Sequence, residues 1–204
     1  MPISAVFWDI GGVINRTKDT GPRDELASEL GVSRDYLNHL FFSGPEGTLA
    51  QLGQISVEDL LVYIRRELNL EPNQHPDLVQ RFFGGDVVDQ ELVEYIHRLR
   101  PEYKIGVISN AWSQLDKLLM EWRIFNIFDI VIGSGDVGVM KPDPEIFRMA
   151  LDGLGVQPHQ SVFIDDFIEN IQGAQAVGIH TIHFKNTTQT LEKLERVLKK
   201  GNSS

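Results

Sequence analysis

Apolar residues in this chain gather into short runs that are hydrophobic on both faces, separated by stretches with a helical stripe. Five runs read as buried strands: Ala5-Val6-Phe7-Trp8, Lys104-Ile105-Gly106-Val107-Ile108, Ile130-Val131-Ile132, Ser161-Val162-Phe163-Ile164 and His180-Thr181-Ile182-His183-Phe184. They are mostly β-branched or aromatic, as strands of a parallel sheet covered on both faces are. Helical patterns separate the last four. Ser113 to Arg123 aligns Leu115, Leu118, Leu119 and Trp122 behind a Ser113 cap, and Pro144 to Leu154 aligns Phe147, Ala150, Leu151 and Leu154. Strand–helix alternation with short connections predicts an α/β fold with a doubly wound, Rossmann-like parallel sheet and right-handed crossovers.

Between the first and second strands the pattern changes. Roughly ninety residues intervene, where a crossover needs only a dozen or so. Residues 23–30, 34–42, 56–68 and 76–83 read as amphipathic helices, with Ser56 as an N-cap and Asp59 near the positive end of the helix dipole. Gly44-Pro45-Glu46-Gly47 and Glu71-Pro72-Asn73-Gln74 punctuate this segment. It reads as an inserted helical cap over 16–85, with 1–15 and 86–204 forming the core. Asp89 to Leu99 is then the core helix that leads into the second strand. Gly201-Asn202-Ser203-Ser204 reads as a frayed tail.

Composition narrows the setting. At 204 residues the chain can bury one full core and a small second lobe. No apolar run approaches the length of a membrane span. Met1-Pro2-Ile3-Ser4-Ala5 has no basic n-region, and the chain has no cysteine, so a cytoplasmic protein without disulfides or thiolate metal sites is expected. The formal charge of −10 argues against a nucleic-acid groove, which needs a basic footprint. Lys193, Arg196, Lys199 and Lys200 form a lone basic cluster, read as a solvated helix face.

Candidate chemistry sits where apolar runs end. Asp9 ends the first run and precedes Gly11-Gly12; it either caps the next turn or attacks phosphorus, with the paired glycines letting a ligand approach the backbone and its N–H groups. Asp165-Asp166 ends the fourth. One Asp would serve as a helix cap, but two repel unless a cation compensates, and Mg²⁺ suits paired carboxylates. Asn170 is placed either to orient that pair or as an ordinary helix residue. Ser109-Asn110 ends the second run and offers a hydroxyl and an N–H to phosphate oxygens, or simply a turn. Lys141 lies before Pro142-Asp143-Pro144, in which Asp143 reads as an N-cap and Pro144 as the first helical residue. Lys141 itself is either a surface residue or a fixed point charge for phosphate.

In this order and spacing, from Asp9 to Asn170, the four segments resemble the haloacid dehalogenase superfamily of hydrolases, closest to its small phosphatases with a helical cap after the first strand. The resemblance implies Asp9 as nucleophile, Ser109 as the phosphate-binding hydroxyl and Lys141 as the stabilising lysine. Gly11, Gly12, Ser109, Asn110 and Lys141 would contact the phosphate. Asp9, the Gly11 carbonyl, Asp165 and Asp166 would hold Mg²⁺, with Asp166 favoured for direct ligation. The expected activity is a Mg²⁺-dependent phosphatase acting on small phosphorylated metabolites through an aspartyl phosphate.

The family's phosphatases usually place a second Asp where this chain has Gly11, to protonate the leaving oxygen. The gap therefore predicts substrates with easily released leaving groups, such as sugar 1-phosphates or aryl phosphates. A 2-haloacid dehalogenase is the alternative enzyme, disfavoured by the acidic pair. A catalytically inactive binding or regulatory protein is the other alternative, supported by Gly11 and opposed by the retained charges. Arg16, Lys18, Arg23, His39 and Phe41-Phe42 are candidates for specificity at the pocket mouth, or for cap surface and core.

Overall fold

The computed structural model describes residues 2–71 and 73–201. Met1, Pro72 in the second cap break and residues 202–204 of the expected tail lie outside the described residues, as does the side chain of Lys200. Five parallel strands form the central sheet: β1 (Ala5–Trp8), β4 (Lys104–Ser109), β5 (Ile130–Gly133), β6 (Ser161–Asp165) and β7 (His180–His183), in the order β5-β4-β1-β6-β7. All five expected runs are strands, with ends shifted by at most one residue. The chain moves outward from β1 on one side and then returns to build the other, so β1 sits where the strand order reverses.

Alternation along each strand splits the core in two. Val6, Trp8, Ile105, Val107, Val162 and Ile164 face α6 (Gln90–Leu99), α7 (Leu115–Glu121) and α11 (Thr187–Gly201). Ala5, Phe7, Ile108, Ile132 and Phe163 face α9 (Pro144–Leu154) and α10 (Ile168–Ala176). Gly106 is small for a packing reason: a Cβ there would lie 2.5 Å from the Phe7 ring. β1 and β6 are thus dry on both faces, which is why they carry no polar alternation.

The helix caps follow the sequence where a capping side chain is present. Ser56 and Asp59 form a reciprocal capping box on α4 (Val57–Glu67), Asp89 caps α6, and Asp143 caps α9 with Pro144 at its first position. Ser113 does not cap α7. Its hydroxyl donates to the Gly135 carbonyl, and Gln114, in a left-handed conformation, starts the helix with its N–H donated to Asp136. Leu115 and Leu119 face the sheet. Leu118 stays exposed, since three residues fall short of a full turn.

Between β1 and β4 lie two strands absent from the sequence reading. β2 (Asn15–Thr17) and β3 (Asp86–Val88) pair antiparallel and carry the helical insert α1 (Gly21–Glu29), α2 (Arg34–Asn38), α3 (Pro45–Gln51), α4 and α5 (Leu78–Phe82). The expected 34–42 helix passes from α2 into a π-helical turn over His39–Ser43. Gly44-Pro45-Glu46-Gly47 is only partly a break, because Pro45 is the first residue of α3 and Glu46 lies in its first turn. Leu26, Leu37, Phe41, Leu60, Ile64, Leu78 and Phe82 give the insert a core of its own. In α11, Arg196 and Lys199 pair with Glu192 and Glu195 on an exposed face, and Gly201 is helical rather than part of a tail. No helix among the described residues is long and apolar enough to cross a membrane.

Candidate active site

The carboxyl ends of β4, β1 and β6 adjoin, and in open α/β sheets ligands bind outside such ends. Asp9 follows β1 directly, its N–H donated to the Ile164 carbonyl at 2.9 Å, while Ser109 and Asp165 are the last residues of the flanking strands. All three are buried. Register therefore brings together groups a hundred residues apart.

Lys141 enters from the segment before α9 and is only 2% exposed, which excludes the surface reading. Its Nζ lies 2.9 Å from Asp9 Oδ1 and 2.6 Å from Asp165 Oδ2. Burying an ammonium is costly, and these two carboxylates more than compensate, holding Lys141 protonated with its pKa above the usual lysine value. The Lys141 backbone is held by Asn110: its Nδ2 donates to the Lys141 carbonyl at 2.9 Å and its Oδ1 accepts the Lys141 N–H at 2.8 Å. The Asn110 side chain is thus occupied in positioning the lysine, whereas the expectation for phosphate rested on a backbone N–H of this turn.

Asp165 is fully engaged. Besides Lys141, it accepts from the Phe167 N–H at 2.7 Å and from Asn170 Nδ2 at 3.1 Å on each oxygen. Asn170 thus holds Asp165, one member of the acidic pair. Burial pushes the Asp9 carboxyl up to about 6, with Lys141 opposing and Asp165 adding to the rise. Burial and the neighbouring Asp165 also raise Asp166.

Asp166 differs from the other two. Its Oδ1 is buried with no hydrogen-bond partner, a costly state for a carboxylate oxygen. One oxygen from each of Asp9, Asp165 and Asp166 lies within 4.8 Å of the others. Three carboxylates against the Lys141 ammonium leave two negative charges in this cluster, and one buried Asp166 oxygen has no donor. This donor set suits a hard dication with oxygen ligands.

The two glycines have different roles. A Cβ on Gly12, whose φ is +75°, would lie 2.3 Å from Asp166 Oδ2, so glycine allows the carboxylate to press against the backbone. The Gly12 N–H is donated to the Asn15 carbonyl at 2.9 Å, so it is committed within the turn and not offered to an anion as expected. Gly11 is exposed, and a Cβ there would meet open space.

Most of the specificity candidates serve the scaffold. Arg16 pairs with Asp89, donates to Thr187 and lies over the Phe184 ring. Arg23 pairs with Asp86 and covers Phe82, His39 contacts Ser43, and Phe41 stacks on Phe82 in the insert core. Phe42 meets Trp112, which comes from the loop that begins with Asn110. Lys18 is exposed on the stem of the insert.

Two residues escaped the sequence reading. Trp112 sits among Phe41, Phe42 and Phe83, and His183 Nε2 lies 2.9 Å from the Asp166 carbonyl. Neither stands at a position whose role shows without the fold. The one available signal for His183 was a polar residue near the end of the last strand-like run, between Ile182 and Phe184.

A parallel sheet with a buried Asp, a buried Lys and an acidic pair at its carboxyl edge defines a hydrolase of the haloacid dehalogenase kind. Residues 28–184 match the family model described as "Haloacid dehalogenase-like hydrolase", and the chain belongs to that family. It is 41% identical over 216 residues to bifunctional epoxide hydrolase 2 of Rattus norvegicus, covering 97% of this chain and 39% of that protein. The chain thus spans about two fifths of that relative's length. Among solved structures, a predicted HAD-like family hydrolase from Porphyromonas gingivalis superposes with a TM-score of 0.76 at 25% identity, covering 96% of this chain and 99% of that one. A HAD family enzyme from Bacteroides thetaiotaomicron, in complex with magnesium and inorganic phosphate, superposes with a TM-score of 0.75 at 21% identity, covering 90% and 94%.

Proposed function

We propose that this chain is a Mg²⁺-dependent phosphatase of small phosphorylated compounds that works through an aspartyl phosphate on Asp9. The observation that carries the reading is the buried Lys141 between Asp9 and Asp165, beside an Asp166 oxygen that lacks a partner. The magnesium and phosphate held by the Bacteroides relative support it.

In this reading Asp9 and Asp166, with the Gly11 carbonyl, hold Mg²⁺, and Asp165 keeps Lys141 and Asn170 in place. The bound ion would screen phosphate charge and lower the pKa of the Asp9 carboxyl, keeping it ionised. An Asp9 carboxylate oxygen attacks phosphorus as the ester P–O bond breaks, and the leaving group departs with the bonding electrons. Lys141 and the Ser109 hydroxyl steady the phosphoryl oxygens. Water then attacks phosphorus, releasing phosphate and restoring the carboxylate. No side chain at residue 11 protonates the leaving group, so esters of acidic alcohols, such as aryl phosphates and sugar 1-phosphates, are the favoured class. The 16–85 insert serves as the cap over this site.

The test is hydrolysis of p-nitrophenyl phosphate with and without Mg²⁺. Turnover that depends on Mg²⁺ and disappears in Asp9→Asn is expected. Metal-independent turnover, or full activity in Asp9→Asn, would sink the proposal. Binding of phosphate without turnover would favour an inactive binding protein.

A further inference from the structure

We infer that His183 is a positioning residue for the cation site: through the main chain of Asp166 it fixes the one acid of the three whose carboxylate has a buried oxygen without a partner. The inference rests on the Mg²⁺ site proposed above.

The three acids are anchored in different ways. Asp9 and Asp165 share the Lys141 ammonium, and Asp165 has further donors from Asn170 and Phe167. Their directions are set by their own side-chain bonds. Asp166 has no such anchor on Oδ1, which is buried and free of donors. Its position is set from the backbone. On one side the carboxylate rests against Gly12, where a Cβ would come within 2.3 Å of Oδ2. On the other, His183 Nε2 lies 2.9 Å from the Asp166 carbonyl.

A carbonyl oxygen only accepts, so Nε2 must carry the proton in this contact. The donor is well placed to be rigid. His183 closes β7, which pairs with β6 in register, Asp165 opposite His183. The next residue reinforces this, because the Phe184 N–H donates to the Asp165 carbonyl at 2.9 Å. The last residue of the edge strand and the one after it thus grip the carbonyls of the two consecutive acids, one by a side chain and one by a backbone bond. The backbone bond survives any substitution of the side chain, so the His183 contact can be removed alone. Groups that orient metal ligands from behind typically change metal affinity about 10- to 100-fold when lost.

The experiment compares the wild-type protein with His183→Ala and His183→Gln, the second retaining an N–H donor. Mg²⁺ binding is measured directly by titration calorimetry, alongside the thermal midpoint and the KM for p-nitrophenyl phosphate at saturating Mg²⁺. His183→Ala should bind Mg²⁺ at least about tenfold more weakly. KM at saturating Mg²⁺ and the thermal midpoint should be nearly unchanged, and His183→Gln should recover most of the affinity. Wild-type affinity in His183→Ala would overturn the inference, as would a loss in both variants that tracks a fall in the thermal midpoint. Calorimetry separates this from the phosphatase reading. Protein that binds Mg²⁺ but hydrolyses nothing would refute the proposed reaction and leave the His183 result to stand on binding alone.

Discussion

At residue 11 the backbone has no left-handed φ, and the space beyond Cα is open. Nothing in the fold therefore demands glycine there, in contrast to Gly12, where both φ and the Asp166 carboxylate do. Gly11→Asp should fold normally and supply the missing acid. Turnover of alkyl phosphates, whose leaving groups need protonation, should rise by up to about 10²-fold, the lower end of general acid catalysis. Aryl phosphates should change little, and steady-state rates on both classes check the contrast; an equal change in the two would refute the role given to the gap. Lys141 is a sharper case. Lys141→Met keeps the volume but leaves Asp9 and Asp165 buried without their shared cation, which should cost about 3–5 kcal/mol at neutral pH. Denaturant unfolding should show that loss, with activity abolished; undiminished stability would mean the carboxylates find other partners. Asp9, Ser109 and the acidic pair were legible as positions because polar residues end apolar runs, and Lys141 because rigid prolines follow it. The Asn110 grip on Lys141 and the burial of that lysine were not, since both depend on a segment thirty residues away folding back onto β4.

At the scale of elements, the five core strands and α9 were legible from local pattern alone, because a strand buried on both faces needs nothing but apolar residues. The β2–β3 ribbon was not. Asn15-Arg16-Thr17 and Asp86-Val87-Val88 are short, half polar and seventy residues apart, and only pairing makes them strands. Their attachment to the core runs through charge. Asp89 receives Arg16 from β2 and the Thr187 hydroxyl from the start of α11, and it caps α6 through the Leu92 N–H. Burial would raise the Asp89 pKa, but these donors outweigh it and hold the carboxyl below its usual value. A carboxyl with a depressed folded pKa stabilises fully above its unfolded value of about 4, and that stabilisation fades as pH falls toward the folded one. Asp89→Asn keeps a capping oxygen and removes the charge. It should cost about 1.5–3 kcal/mol at pH 7, the range for hydrogen bonds to charged groups. The difference from wild type should narrow progressively below about pH 4. Unfolding curves at neutral and acid pH decide this: a gap of constant size would assign the loss to packing and not to charge.

Across the whole molecule, the described residues fasten the insert to the core at its stem and at a second place beside the site. One is the β2–β3 stem. The other is a weld between the end of α3 and the loop after β4. The Ser134 hydroxyl, fully buried, donates to the Gln51 carbonyl at 2.6 Å and accepts the Ala111 N–H at 3.0 Å. A Cβ on Gly53 would lie 2.1 Å from the Gly135 carbonyl, so the two backbones touch. Trp112 completes the weld, packed against Phe42 with ring centroids 6.0 Å apart and edge-on to Phe83 at 5.8 Å. The same loop begins with Asn110, so the insert is fastened next to the end of β4, where Ser109, proposed above to bind phosphate, and the clamp on Lys141 lie. Any opening of the insert must pull on that loop or release Trp112 from the aromatic cluster. Trp112→Ala removes the largest apolar contact of the weld, worth about 1.5–3 kcal/mol when fully buried and less here, where Trp112 is half-buried. The loss should be local. Hydrogen exchange should quicken over residues 39–53 and 78–83 while β1, β4 and β6 stay protected, and KM should rise more than kcat falls. Uniform quickening across the sheet would mean that Trp112 supports the global fold, and that the insert is held by its stem alone.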